Sequence, residues 1–331
     1  MMLSYLDLTT TDPAFNLAAE EYVFENLPKD RMYLMLWQND NAIIIGKNQN
    51  TLAEINVPFV ADNGIRVVRR LSGGGAVYHD LGNLNYTIIA DADADSALDF
   101  HRFCQIVIRA LEKVGVHAEL NGRNDMTIDG KKFSGNAQYT KNGRVMHHGT
   151  IMFDSNHNVL ASALQVDEEK IRAKGVKSVR SRVTNVRPYL HTDMTLDAFR
   201  KTLLQSILED IPGTAYPLTL KDLTEIEQLK LRRYDTWDWN YGRSPAGTLF
   251  RRRRIEGCGS IEVYLDLDHG LIRQIGFRGD FFSAADPADL GQLLAGCRPE
   301  RPALEAVLAG VDVGRYFMGL DTKTFLDLLC Q

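Results

Sequence analysis

The chain has 331 residues, 44% of them apolar and 24% charged, with a formal net charge of −5. That length predicts two soluble globular domains, one large and one small, with enough core to need no disulfide or structural metal. The acidic balance argues against bulk binding to nucleic acid, which calls for a basic domain.

The N-terminus, Met1-Met2-Leu3-Ser4-Tyr5-Leu6-Asp7, has no basic region followed by an apolar run, so no secretory signal is expected. A strand over Ser4 to Leu8 leads into a helix that Asp12 caps and Pro13 begins, with Phe15, Ala18, Ala19, Tyr22 and Val23 on one apolar face. Strands follow at Met32 to Trp37 and Ala42 to Ile45, then short helical pieces near Thr51 to Ile55 and Pro58 to Asn63. Arg66 to Arg70 reads as a strand entering a glycine turn, and Leu84 to Ala90 as the strand leaving it. Phe103, Val107, Ala110, Leu111 and Val114 recur at helical spacing up to Gly115. Asp129-Gly130 and Asn142-Gly143 are hairpin signals between strand-like runs. After a helix from Leu196 to about Leu208, Pro212-Gly213 and Pro217 mark a break that a polar helix around Lys221 to Arg233 bridges; three strands follow, turning at Asp268-His269-Gly270, and then apolar helices.

This pattern predicts an α+β (mixed α/β) fold: residues 1–240 as a large domain and 247–331 as a small accessory one, with the boundary between about 210 and 245. No run approaches about 18 continuous apolar residues, so no membrane span is expected. Cys104, Cys258, Cys297 and Cys330 are scattered with no Cys-x-x-Cys pair, which reads as reduced thiols in a cytoplasmic protein.

The densest feature is Arg69-Arg70-Leu71-Ser72-Gly73-Gly74-Gly75-Ala76-Val77-Tyr78-His79-Asp80. Consecutive glycines let the backbone approach a ligand closely, and successive N–H groups in such a turn form a concave anion site. Arg70 can add a bidentate contact to phosphate oxygens. The segment lacks the Gly-Lys-Ser/Thr of a P-loop and the spaced glycines of the dinucleotide fingerprint. A bare surface turn is the plainer alternative.

The second constellation is Asp129-Gly130-Lys131-Lys132-Phe133-Ser134-Gly135-Asn136-Ala137-Gln138, followed by His147-His148-Gly149-Thr150. Strand alternation puts Lys132, Ser134 and Asn136 on one face and Phe133 on the other. Lys132 is then a fixed cation able to stabilise charge at a phosphate and a carbonyl oxygen, although a hairpin lysine is more often simply solvated. His147 and His148 point to opposite faces and cannot readily share a metal, so a histidine packed in the sheet is the better reading.

Together with Ser178-Val179-Arg180-Ser181-Arg182-Val183-Thr184-Asn185, these motifs resemble the lipoate–protein ligase family of the lipoyl/biotinyl protein ligase superfamily. The resemblance implies a two-step reaction: lipoic acid and ATP, with Mg2+, give lipoyl-AMP and pyrophosphate, and a carrier lysine then takes the lipoyl group. It implies that Arg70, Ser72, Gly73, Gly74, Gly75, Ala76, Val77 and Tyr78, with Lys132, hold ATP and the adenylate. It further implies that Lys132, Gly75, Ala76 and His148 touch lipoate, that Lys132 is the catalytic residue, and that the only metal is the Mg2+ arriving with ATP. Carriers would be lipoyl domains of 2-oxoacid dehydrogenase E2 subunits and the glycine-cleavage H protein, with neither nucleic acid nor membrane as partner. The dithiolane tail would want an apolar channel, for which Ala76 to Tyr78 and Ile88 are candidates.

Residues 170–187 carry seven Lys or Arg and no acid, a solvated loop or a cover in which Lys177, Arg180 and Arg182 reach the adenylate or the carrier. Arg251 to Arg254 must face both ways on a strand, as a charged edge or as a landing patch for an acidic carrier. Two rivals remain: an octanoyl or lipoyl acyltransferase of the same fold, several of which use a cysteine thioester, and a non-catalytic lipoate-binding protein. Cys104, amid apolar helix positions, reads as packing rather than a nucleophile.

Overall fold

The computed structural model describes residues 2–49, 51–91, 99–164, 182–241, 249–268, 271–299 and 301–330. Its centre is an eight-stranded mixed sheet: β1 (Met2–Asp7), β2 (Arg31–Trp37), β6 (Asn83–Asp91), β7 (Glu119–Asn121), β8 (Asp125–Ile128), β9 (Lys131–Lys141), β10 (Arg144–Met152) and β11 (Gly213–Ala215). Their order is β11-β1-β2-β6-β10-β9-β8-β7, with β11, β1 and β2 parallel and the remaining pairs antiparallel. A smaller sheet, β4-β3-β5, joins β3 (Ala42–Ile45), β4 (Arg66–Arg69) and β5 (Val77–His79). The first strand leaving the glycine turn is therefore β5, which returns antiparallel to β3 before β6 begins; three residues are too few to show an alternation.

Both hairpin signals are real turns. Asp129 and Gly130 have φ of 52° and 71°, Asn142 and Gly143 51° and 70°. Two successive left-handed residues make the turn whose twist matches paired strands.

One face of the large sheet, with Leu34, Leu84 and Ile88, packs against the helices Phe100–Glu112 and Leu196–Asp210 through Val107, Leu111, Phe199 and Leu203. The other face, with Tyr33, Met35 and Trp37, meets the first helix, Pro13–Asn26, and Ile44 and Val68 of the small sheet. Asp12 caps that helix, accepting from the Ala14 and Phe15 amides. It is buried on nearly every side, including Glu20 and Glu21, so it has no single apolar stripe. The helix Leu220–Leu229 does not bridge two parts. Ile226 and Leu229 join the same core as the first helix, and the Tyr22 hydroxyl donates to Asp222 (2.6 Å).

Beyond it, β12 (Leu249–Ile255), β13 (Gly259–Asp268) and β14 (Leu271–Gly279) form an antiparallel sheet. Its core, built on Ile261, Val263, Phe277 and Phe317, is separate from the others. Among the described residues no helix is long and apolar enough to cross a membrane.

Candidate active site

A cavity of about 110 Å³ lies between the large sheet and the glycine turn. Its floor can be built from the register. Thr150 pairs Asn85, and Asn85 pairs Trp37, so a single row crosses β10, β6 and β2. Lys132 closes the end at β9, and Leu17, Ile44 and Val77 supply apolar cover near Trp37. Three inter-strand gaps of about 4.8 Å separate the β2 and β9 backbones by about 14 Å.

Lys132 does not share a face with Ser134 and Asn136 as simple alternation predicted. Pairing slips between Met126 and Thr127: Met126 opposes Ser134 and Thr127 opposes Lys132, leaving Phe133 as an extra residue in a bulge. Lys132 consequently shares a face with Gly135, where a Cβ would sit 3.1 Å from Nζ. The Asn136 carboxamide turns the other way, accepting from the Tyr86 hydroxyl. Lys132 Nζ pairs with Asp125 at 2.8 Å, a partner that strand spacing could not point to.

Arg70 is buried and does not extend free toward a ligand. Nε donates to Ser72 Oγ (3.0 Å), Nη1 to the Ile44 carbonyl (3.1 Å), and Nη2 to the Gly73 and Gly75 carbonyls (2.7 and 2.8 Å). Burial lowers its pKa to about 10. Its first role is to hold the turn in shape with a positive charge beneath it. Arg69 is similarly spent, binding the carbonyls of Gly46, Lys47 and Gln49 (2.9, 3.1 and 2.8 Å).

Of the turn residues, Gly74, Gly75, Ala76 and Val77 line the cavity, together with Arg70, Lys132 and His148. Gly74 has φ +92°, and its N–H donates to the Phe281 carbonyl (3.2 Å), so the C-terminal part of the chain rests on the turn. Nothing lies within 4 Å of a Cβ built at Gly75. Ser72 and Gly73 face a neighbouring hollow instead, and the Tyr78 hydroxyl points away to Asn41 (3.0 Å). Ile88 is on the opposite face of the sheet, paired with Leu34 and His147, and cannot line this cavity.

His148 Nε2 lies 2.6 Å from Ser72 Oγ, and Nδ1 lies 3.0 Å from Glu20 Oε1. Glu20 was missed; the available signal was a carboxylate in the apolar run Ala18 to Val23. His147 faces the other way, stacked on Phe103 (5.2 Å between centroids), with Gln138 Nε2 2.9 Å from Nδ1. Cys104 Sγ is 3.8 Å from His147 Nε2, but burial pushes the thiol up to about 12 and the imidazole down to about 3. Both stay neutral and solvent-excluded, unlike an activated thiolate pair. Among the described residues no three His, Cys, Asp or Glu cluster as metal ligands.

Lys132 and Asn124 also line a larger cleft of about 1370 Å³, bordered by Arg182 and by Arg252 and Arg254 of β12. Val183 bridges to Lys132, and the Thr184 amide donates to the Lys132 carbonyl (2.9 Å), which brings the end of the basic connector to the site. Lys177 and Arg180 lie outside the described residues. The β12 arginines do face both ways: Arg251 donates to the Leu329 carbonyl, while Arg252 and Arg254 lie 3.7 and 3.8 Å from Glu262 and Asp280.

Comparison with known proteins agrees with this architecture. The family model described as the lipoyl protein ligase A/B catalytic domain matches residues 12–208, and that of the bacterial lipoate protein ligase C-terminus matches residues 244–329. The fold is shared with Plasmodium falciparum LipL1, solved in complex with lipoate, at TM-score 0.81 and 22% identity over 99% of this chain and 98% of that one. A lipoate-protein ligase A solved with ATP matches at TM-score 0.62 and 27% identity, covering 73% of this chain and 98% of its own. The family models and the relatives that follow define an enzyme of the ligase class. In sequence, Bacillus subtilis lipoate-protein ligase LplJ is 48% identical over 96% of this chain and 97% of its own. Staphylococcus aureus lipoate–protein ligase 1 is 40% identical over 96% and 97%. The chain belongs to the lipoate–protein ligase family.

Proposed function

We propose that this protein activates lipoate with ATP and transfers the lipoyl group to a lysine of a carrier domain. The observation that carries this reading is the cavity beneath the glycine turn, cationic at Lys132 and apolar at Trp37, Leu17 and Ile44, about 14 Å away by strand spacing. An acid with a short alkyl arm and a small ring fits it lengthwise, carboxylate toward Lys132. Gly75, with no neighbour at its Cβ position, gives the α-phosphate close access to the backbone.

In the first step a lipoate carboxylate oxygen attacks the α-phosphorus, the bond to the bridging oxygen breaks, and pyrophosphate leaves with the electron pair. Lys132 Nζ, released from Asp125, balances charge on the α-phosphate and the acyl oxygen. The carrier lysine amine then attacks the acyl carbon, the bond to the AMP oxygen breaks, and an amide forms with loss of a proton. Lys132 again holds the developing oxyanion, with no covalent intermediate on the protein. Mg2+, when bound, neutralises the polyphosphate; Asp125, a hard oxygen donor beside Lys132, fits as its protein ligand, since Mg2+ at nucleotides commonly takes only one or two carboxylates.

The division into residues 1–240 and 247–331 is supported by the separate core around Ile261 and Phe317. A lipoyl domain is the carrier we favour, and a cytoplasmic setting is supported by four free thiols. Cys104, buried and neutral, disfavours an acyltransferase working through a cysteine thioester. Mass spectrometry of an apo lipoyl domain incubated with the protein, ATP, Mg2+ and lipoate tests the reading. It predicts a lipoyl mass gain that disappears without ATP and in Lys132→Ala; a gain without ATP would refute it.

A further inference from the structure

The apolar end of the cavity holds polar donors that the protein itself leaves unused, and the ring nitrogen of His79 is one of them. His79 is buried and lines the cavity, and its Nε2 has no partner among the described residues. A chain of amides determines which ring nitrogen carries the proton. Asn16 Nδ2 donates to the Thr10 and Gln38 carbonyls (3.0 and 2.8 Å), which orients that amide. The same group faces Asn39 Oδ1 at 3.0 Å, so it is Asn39 Nδ2 that lies 3.1 Å from His79 Nδ1. Nδ1 must therefore accept, and a neutral ring carries its proton on Nε2. Burial, with Arg70 and His148 nearby, pushes the imidazole down to about 3, so the ring is neutral at working pH.

The position matters as much as the tautomer. The His79 ring lies 6.2 Å from the Trp37 ring, edge to face. Trp37 is on β2, three strands from the β9 strand that carries Lys132. A ligand whose carboxylate is held at Lys132 brings its far end here. Asn85, paired with Trp37, lines the same wall, and its Nδ2 is also unpartnered.

Building on the lipoate reading above, we propose that the His79 Nε2–H is a sulfur-recognising donor that distinguishes a dithiolane ring from a hydrocarbon of the same shape. A ring sulfur is a weak acceptor but satisfies the buried N–H, whereas a methylene leaves it unpaired in an apolar wall. Satisfying such a donor is expected to strengthen binding by about tenfold.

Calorimetric binding of two acids tests this: lipoate, and the carbocyclic analogue in which methylene groups replace both sulfurs. Wild type should prefer lipoate by about tenfold, the worth of the hydrogen bond that a ring sulfur adds. His79→Phe should erase the preference, chiefly by losing affinity for lipoate, and His79→Gln, which keeps a donor, should retain part of it. Equal affinities in wild type, or a preference that survives in His79→Phe, would overturn the proposal while leaving the lipoate reading intact. Failure of lipoate itself to bind wild type would overturn both. The wild-type comparison stands whether or not either variant folds.

Discussion

Replacing Arg70 by Lys separates two roles that a sequence motif merges. In the structure the guanidinium spans four acceptors: Ser72 Oγ and the carbonyls of Ile44, Gly73 and Gly75. An ammonium is a point donor on a flexible stem and cannot reach carbonyls on both sides of the turn at once. At least two of the buried carbonyls then lose their partner, at about 1–3 kcal/mol each, or about 4 kcal/mol together. For a chain of this size a loss of that order lowers the melting temperature by roughly 10 °C. The assay is thermal unfolding of the ligand-free protein followed by near-UV circular dichroism, paired with the KM for ATP. If the variant melts with the wild type and only its KM rises, Arg70 is a phosphate ligand and the turn stands without it.

The glycines of the turn should divide in the same manner. Gly75→Ala should fold normally, because its Cβ meets nothing within 4 Å, yet should lose adenylate binding measured by calorimetry; Gly46→Ala, whose Cβ would lie 2.0 Å from the Gly74 carbonyl oxygen, should melt lower. Acid should destabilise the fold through two histidines. His79 and His147 are held near 3 by burial, so between that value and the unfolded value of about 6.5 the unfolded chain binds the extra protons. Stability present at pH 7 is therefore lost as pH falls through this window, by up to about 1.4 kcal/mol per pH unit for each histidine. Denaturant melts at pH 7 and pH 5 should show His147→Gln with the shallower dependence, and an unchanged slope would count against this origin. Cys104→Ala should leave lipoyl transfer within about twofold, since a small core truncation without a chemical role acts on stability; abolished transfer with an acyl-enzyme trapped in wild type would restore the thioester route.

Much of the fold was legible because its signals are local. Asp12-Pro13 starts a helix through its own cap, and Asp129-Gly130 and Asn142-Gly143 turn hairpins because those residues tolerate positive φ. The glycine run and Lys132 could be singled out for the same reason, since backbone freedom and a fixed cation are properties of the residues themselves. What the turn residues touch was not legible. Ser72 meets His148, and His148 meets Glu20, across sequence separations of 76 and 128 residues. No period in the sequence encodes such distances.

The sequence by itself determined most of the elements and the family to which the motifs point. Only the tertiary structure decided how they are used. A bulge at Phe133 turned Lys132 away from Ser134 and Asn136 and into the cavity, because one extra residue inverts the strand's two faces. Packing spent Arg70 on the carbonyls of the turn, since a buried guanidinium must satisfy its donors where it lies. The row from Lys132 to Trp37 exists only because β9, β10, β6 and β2 lie side by side, an adjacency set by burial of the whole sheet rather than by any one strand.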